Sequence, residues 1–252
     1  MKPKLRALFI GNSYIYFNNV PHLLSVLADS SFEARHLETK MIVGPGFTLE
    51  RHWADGGALS AIERERWDYV ILQEQSTLGD PPEVINGIPK INAPTKFHEY
   101  ARRFDAAINK RGARTAFFLT WAREDSPESQ ALLNEGYLQI AKELRALVAP
   151  VGIAWRDALK LNASLPLYQA DHAHPAVAGS YLAACVLYSM LYDGSPEGLL
   201  SQIPADSVGI PDDCLIDHNP LISMAAVDIS ETDARFLQRI ALHAVEGLAS
   251  GN

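Results

Sequence analysis

Short apolar runs of strand length alternate along this chain with longer stretches of helical period, and this alternation restricts the fold more than any other feature. Leu5 to Ile10, about Leu37 to Val43, Tyr69 to Leu72, Thr115 to Leu119 and Val151 to Trp155 are short, and several are rich in β-branched or aromatic residues. They predict five strands. Between them lie helical stretches at Pro21 to Ser30, Thr48 to Arg66 with a break at Gly56-Gly57, Thr95 to Arg111, and Pro127 to Leu147, the last with Ser126 placed to cap. Strand and helix taking turns implies an α/β protein with a parallel sheet, right-handed crossovers and helices on both faces.

Two more helices are predicted at about Ala176 to Tyr192 and Glu231 to Ala249. The second carries Leu237, Ile240, Ala241, Ala244, Val245 and Leu248 on one stripe, with Ser230 and Asp233 spaced as a cap. The stretch from Gly194 to Ile229 is rich in Pro, Asp and Ser, shows little period, and reads as a surface connection. With 252 residues the chain can bury about three quarters of its unfolded surface, so one domain spanning 1–252 is expected.

Charge narrows the partners. Thirty acidic residues stand against 22 basic ones, a net charge of -8, and the two signs are mixed along the chain. No basic surface is offered to nucleic acid or anionic lipid. The apolar stretch after Lys2, Lys4 and Arg6 runs only from Ala7 to Ile10, too short for a signal-peptide core or a membrane span, so a cytoplasmic protein is expected, as a monomer or a homo-oligomer. Cys185 and Cys214 belong to no C-x-x-C pair or His/Cys cluster and read as buried thiols rather than zinc ligands or a disulfide.

Two segments carry the chemistry. Ser13, in Gly11-Asn12-Ser13, ends the first predicted strand, and in an open parallel sheet ligands gather beyond the carboxyl ends of the strands. Asp171-His172-Ala173-His174-Pro175 precedes a predicted helix. Serine is a weak nucleophile until a histidine takes its proton and an acid fixes that histidine's tautomer, and the two segments together hold all three groups. Each has a plainer reading: Gly-Asn-Ser suits an ordinary strand-to-helix turn, Asp171 can be a capping carboxylate, and His172 with His174 form an H-x-H pair that can bind metal. His174 is the histidine expected to face Ser13, because it stands three residues after Asp171 and a chain reversal can bring that carboxylate to its Nδ1 while Nε2 points at the hydroxyl; His172 is expected to be a supporting or surface group.

The two segments together resemble the SGNH hydrolases, or GDSL-type esterases and lipases. That family has a Gly-Asp-Ser block after its first strand, a glycine in a second block, an asparagine in a Gly-x-Asn-Asp third block, and Asp-x-x-His before the last long helix. The resemblance implies a three-layer flavodoxin-like sandwich with a five-stranded sheet of order 2-1-3-4-5. It also implies cofactor-free hydrolysis of acyl esters by Ser13, His174 and Asp171, with the Ser13 amide in the oxyanion hole. The middle blocks depart from the pattern. Gly46, in Val43-Gly44-Pro45-Gly46-Phe47, best matches the second-block glycine, with Gly44 as fallback. Gln73-Glu74-Gln75-Ser76 replaces the third block and puts Gln75, or else Gln73, where the asparagine amide would donate.

The Gly-Asn-Ser, Leu-Gln-Glu-Gln-Ser and Thr-Trp-Ala-Arg blocks are similar to those of a poorly characterised branch of the family. A fainter likeness to carbohydrate O-acetylesterases favours acetylated sugars over long-chain lipids. A thioesterase or lysophospholipase with the same triad, or a carbohydrate-binding protein that has lost catalysis, are the rival readings. Tyr14, Trp121 and Arg123 are the expected substrate-binding residues, with Tyr16 and Phe17 also in the loop after Ser13. The plainer alternatives are that Trp121 is core, that the aromatic loop covers the sheet edge, and that Arg123 pairs with Glu124 or Asp125.

Overall fold

The computed structural model describes residues 4–32, 34–79, 84–205 and 225–250. Its central sheet is parallel. Strands β1 (Leu5–Gly11), β2 (Leu37–Val43) and β3 (Tyr69–Leu72) are followed by a two-residue hairpin, β4 (Val84–Ile85) and β5 (Ile88–Pro89), and then by β6 (Arg114–Phe118) and β7 (Leu147–Ala149). The sheet order is β2-β1-β3-β6-β7, which is 2-1-3-4-5 over its own five strands.

Alternation along the strands sorts side chains between two apolar layers. Leu5, Ala7 and Phe9 of β1 face helices α2 (Val20–Ser30), α7 (Val151–Leu161), α8 (Val177–Tyr192) and α9 (Glu231–Ser250). Leu8 and Ile10 face α3 (Leu49–Asp55), α4 (Gly57–Arg64), α5 (Thr95–Lys110) and α6 (Gln130–Leu144). Helix α8 is buried almost all round because α9 covers its outer side. Within the buried stripe of α9 lies one amide, Gln238, which donates to Tyr181 Oη (2.7 Å) and the Leu199 carbonyl (3.0 Å) and accepts from Gly198 N–H (3.0 Å). That satisfies an otherwise costly buried polar group. Ser230 and Asp233 cap α9 reciprocally, as their spacing predicts.

The fifth strand is not where periodicity placed it. The run from Leu147 to Trp155 is divided by Pro150: the residues before it pair with β6, and Val151 to Trp155 open α7. Val151, Ala154, Trp155 and Ala158 are buried at helical spacing, a stripe that a five-residue window cannot tell from a buried strand. Gly152 lets this helix start against the sheet edge, since a Cβ there would overlap the Thr120 carbonyl oxygen. The helix expected to run to Leu147 therefore stops at Leu144, with Arg145 left-handed (φ 53°). Nor does Ser126 cap it: its hydroxyl bonds Glu128 and Ser129 at the head of a 3-10 turn, Pro127–Ser129.

Part of the Gly194 to Ile229 connection is described, and it includes a small ribbon of β8 (Gln202–Ile203) with β9 (Val227–Asp228). Cys185 is a buried thiol on α8; Cys214 lies outside the described residues. No described helix is long and apolar enough to cross a membrane.

Candidate active site

Ser13 opens α1 (Ser13–Tyr16) immediately beyond the carboxyl end of β1, and three other segments hold the loop that carries it. Asn12 is extended (φ -135°, ψ -153°), and its Oδ1 accepts from Tyr14 N–H at 3.2 Å, which caps the short helix. Its Nδ2 donates to the Phe47 carbonyl (3.0 Å), and its backbone N–H donates to Gln73 Oε1 (2.8 Å). Gly11 passes so close to Gln73 that a Cβ would overlap the same Oε1. His52 of α3, fully buried, sits with Nε2 2.7 Å from the Gly11 carbonyl. A carbonyl can only accept, so Nε2 carries the proton. Burial pushes His52 down to about 4 against the pull of that bond, and the imidazole is neutral near pH 7.

The segment before α8 approaches from the other side. Asp171 Oδ1 accepts from the backbone N–H groups of Ala173 (3.1 Å) and His174 (2.9 Å), a tight turn that brings its own Oδ2 into a short hydrogen bond with His174 Nδ1. His174 Nε2 lies 2.9 Å from Ser13 Oγ. Burial works to raise the Asp171 pKa, but the His174 ring and the two amides outweigh it and hold the carboxyl at about 2. An ionised carboxylate fixes the proton on Nδ1 and leaves the Nε2 lone pair toward the serine hydroxyl. Phe17 stacks on the His174 ring (4.3 Å between centroids) and Tyr14 meets it edge-on (5.8 Å).

No protein-family model matches the chain, and no curated protein matches it. Solved structures do. A protein from Slackia heliotrinireducens designated an SGNH hydrolase is 26% identical with a TM-score of 0.60, over 75% of this chain and 100% of that one. The chain belongs to the SGNH hydrolase superfamily. A DUF4886 family protein from Bacteroides uniformis shares the fold over 97% of this chain and 95% of its own, at 16% identity and a TM-score of 0.64. So does a catalytic mutant of Axe2, an acetylxylan esterase from Geobacillus stearothermophilus, at 15% identity and a TM-score of 0.59, over 76% and 96% of the two chains.

The SGNH-type third block is anchored by its unusual residues. Gln73 is fully buried with both ends of its amide engaged: Oε1 on Asn12 N–H and Nε2 on the Glu74 carbonyl (2.5 Å). It is thus committed to shaping the nucleophile loop. Gln75 is only partly buried, and its Oε1 accepts from Thr77 N–H (2.6 Å) and Thr77 Oγ1 (2.5 Å), which leaves the NH₂ as its donor end. Gly44 N–H donates to the Gly11 carbonyl (3.3 Å), so it extends the sheet ladder. Gly46 is exposed at φ +65° in the turn after β2.

The expected substrate-binding residues need correcting. Trp121 has no solvent exposure and cannot form a sugar-stacking wall. It lies inside a stack between Tyr14 (4.4 Å) and Trp155 (4.1 Å), and its Nε1 donates to the Ala173 carbonyl (3.0 Å). Tyr14 is 4% exposed, its phenol pushed up to about 12 chiefly by burial. Arg123 forks onto Asp125 (3.0 and 3.1 Å) and reaches the Asp171 carbonyl at 3.4 Å, so it braces the His174 segment. His172 is left-handed (φ 59°) and turned outward, its Nδ1 2.6 Å from Glu124 Oε2. Among the described residues, no group of three or more His, Cys, Asp or Glu is placed to hold a metal ion.

The residues that sequence reasoning passed over are His52 and Glu74. Each is a polar side chain next to, or inside, an apolar run, and each is at most 1% exposed. A buried carboxyl at the end of a strand was the signal available, because burying one is costly unless it has work to do.

Proposed function

We propose that the protein is a serine esterase that releases short acyl groups, acetyl first, from small-molecule or carbohydrate esters. The observation that carries this reading is the 2.9 Å approach of His174 Nε2 to Ser13 Oγ, with Nδ1 bound to Asp171. His174 takes the hydroxyl proton as Oγ attacks the ester carbonyl, and Asp171 stabilises the imidazolium. The tetrahedral oxyanion is met by the N–H groups of Ser13 and Gly46 and the NH₂ of Gln75. Ser13 N–H, at the start of α1, has no acceptor within its own helix. His174 then protonates the leaving alcohol, and water hydrolyses the acyl-enzyme by the same route in reverse.

Aromatic crowding at His174 by Phe17 and Tyr14 supports a short acyl group. The fold shared with an acetylxylan esterase agrees with an acetylated carbohydrate. A longer acyl chain, as for a thioesterase or lysophospholipase, would need apolar surface beyond that collar. Val84 and Ile85 of the β4–β5 hairpin are exposed apolar side chains in the connection that leaves the sheet after β3.

A serine-reactive fluorophosphonate, followed by peptide mapping, tests the nucleophile: label is expected on Ser13 in the wild type and none in Ser13→Ala. Label on another serine overturns the assignment. Aryl esters from acetyl to octanoyl then decide the acyl group, with rates expected to fall as the chain lengthens. A rising profile selects the longer-chain reading.

A further inference from the structure

Glu74 follows β3 directly and is 1% exposed. Its Oε1 accepts from Gln75 N–H at 2.6 Å, and its Oε2 accepts from Leu49 N–H at 3.2 Å, in the first turn of α3. The Glu74 backbone is fixed as well. Its N–H donates to Tyr137 Oη (2.9 Å), while its carbonyl accepts from Tyr137 Oη (3.3 Å) and Gln73 Nε2 (2.5 Å). Among the described residues no salt bridge reaches the carboxyl, and the charged group acting on it is Glu50, of the same sign. A side chain kept here for packing alone would be apolar, since an unpaired buried carboxyl is costly.

The two amides it binds belong to different loops. Leu49 ends the β2–α3 connection that contains Gly46, and the carbonyl of Phe47 in the same connection holds Asn12 beside Ser13. Gln75 belongs to the loop after β3, and its carbonyl end is held by Thr77. One carboxyl therefore spans the gap between the loops of Gly46 and Gln75.

We infer that Glu74 is a positioning residue that sets the spacing between the Gly46 and Gln75 loops, so that both donors meet one oxyanion. This rests on the esterase reading above. It adds to that reading a residue that never touches substrate and acts through Gln75.

A double-mutant cycle tests it, with kcat and KM measured on an aryl acetate for the wild type, Glu74→Ala, Gln75→Ala and the double variant, and with thermal melts of each. Glu74→Ala is expected to lower kcat about 10- to 100-fold with KM changed less than about threefold, as befits a donor that acts mainly in the transition state. In the Gln75→Ala background the same change is expected to cost no more than about threefold, because the residue it acts through is gone. Glu74→Gln keeps an acceptor for only one of the two amides and sets its NH₂ against the other N–H, so it is expected to recover only part of kcat. Full additivity of the two losses, or an unchanged kcat in a folded Glu74→Ala, overturns the inference while leaving the esterase reading intact. If Glu74→Ala does not fold, Glu74→Asp takes its place in the cycle: withdrawing the carboxyl by one methylene should lower kcat, and only when Gln75 is present. A wild type that neither takes the probe label on Ser13 nor turns over the aryl acetate would instead overturn the esterase reading itself.

Discussion

Trp121 donates its indole N–H to the Ala173 carbonyl at 3.0 Å, so the carbonyl between Asp171 and His174 is held from beneath by a side chain 52 positions earlier. The same ring stacks between Tyr14 and Trp155. Trp121→Phe keeps most of the stack and removes the hydrogen bond. It should cost about 1 kcal/mol or slightly more in urea unfolding and lower kcat without raising KM, because the ring never meets substrate. Trp121→Ala should cost about 3–5 kcal/mol through the cavity it leaves. A large rise in KM for carbohydrate esters with unchanged stability would return Trp121 to the substrate wall.

Ser13→Ala should abolish hydrolysis of an aryl acetate and leave the thermal melt within about 2 °C of wild type, since the hydroxyl bonds the partly exposed His174 ring and the half-buried Tyr16 phenol rather than the core. Residual turnover above a few per cent, in a preparation free of other esterases, would remove Ser13 as nucleophile.

His174→Gln and His172→Gln should separate cleanly. The first loses the group facing Ser13 and should lose at least about a thousandfold in kcat. The second loses a surface pair with Glu124 and should retain most activity. Equal losses would mean that the outward turn of His172 is not what divides the two rings.

Stability should fall as pH rises from about 6.5 to about 8. Burial pushes Glu74 up to about 8 from a reference near 4.5, against hydrogen bonds from Gln75 and Leu49 that lower it. The native state therefore holds a proton that the unfolded chain has released above about 4.5, and that stabilisation is lost as pH passes through 8; below 6.5 the lowered pKa of His52 gives a slope of opposite sign that offsets it, so the fall shows between about 6.5 and 8. Urea midpoints between pH 6.5 and 8.5 should show the slope, and Glu74→Gln, which cannot ionise, should flatten it. An unchanged slope in that variant assigns it to another group.

Four of the parallel strands, at Leu5, Leu37, Tyr69 and Thr115, are legible in short windows because strand and helix periods are local properties. So is the cap formed by Ser230 and Asp233. The Asp171 to His174 turn is local too, since three residues are enough to return a carboxylate to its own neighbour's ring. The fifth strand was not legible: Leu147 to Trp155 is uniformly apolar, and only pairing with β6 on one side of Pro150 and packing of Gly152 against Thr120 on the other divide it into strand and helix. The burial of Trp121, the outward turn of His172 and the span of Glu74 from Leu49 to Gln75 likewise depend on segments 25 to 52 residues apart. Local spacing was enough for the alternating elements and for the residue types able to act on an ester. Which of them meet follows from packing, because burial and hydrogen-bond partners belong to the packed layers and not to any one stretch of chain.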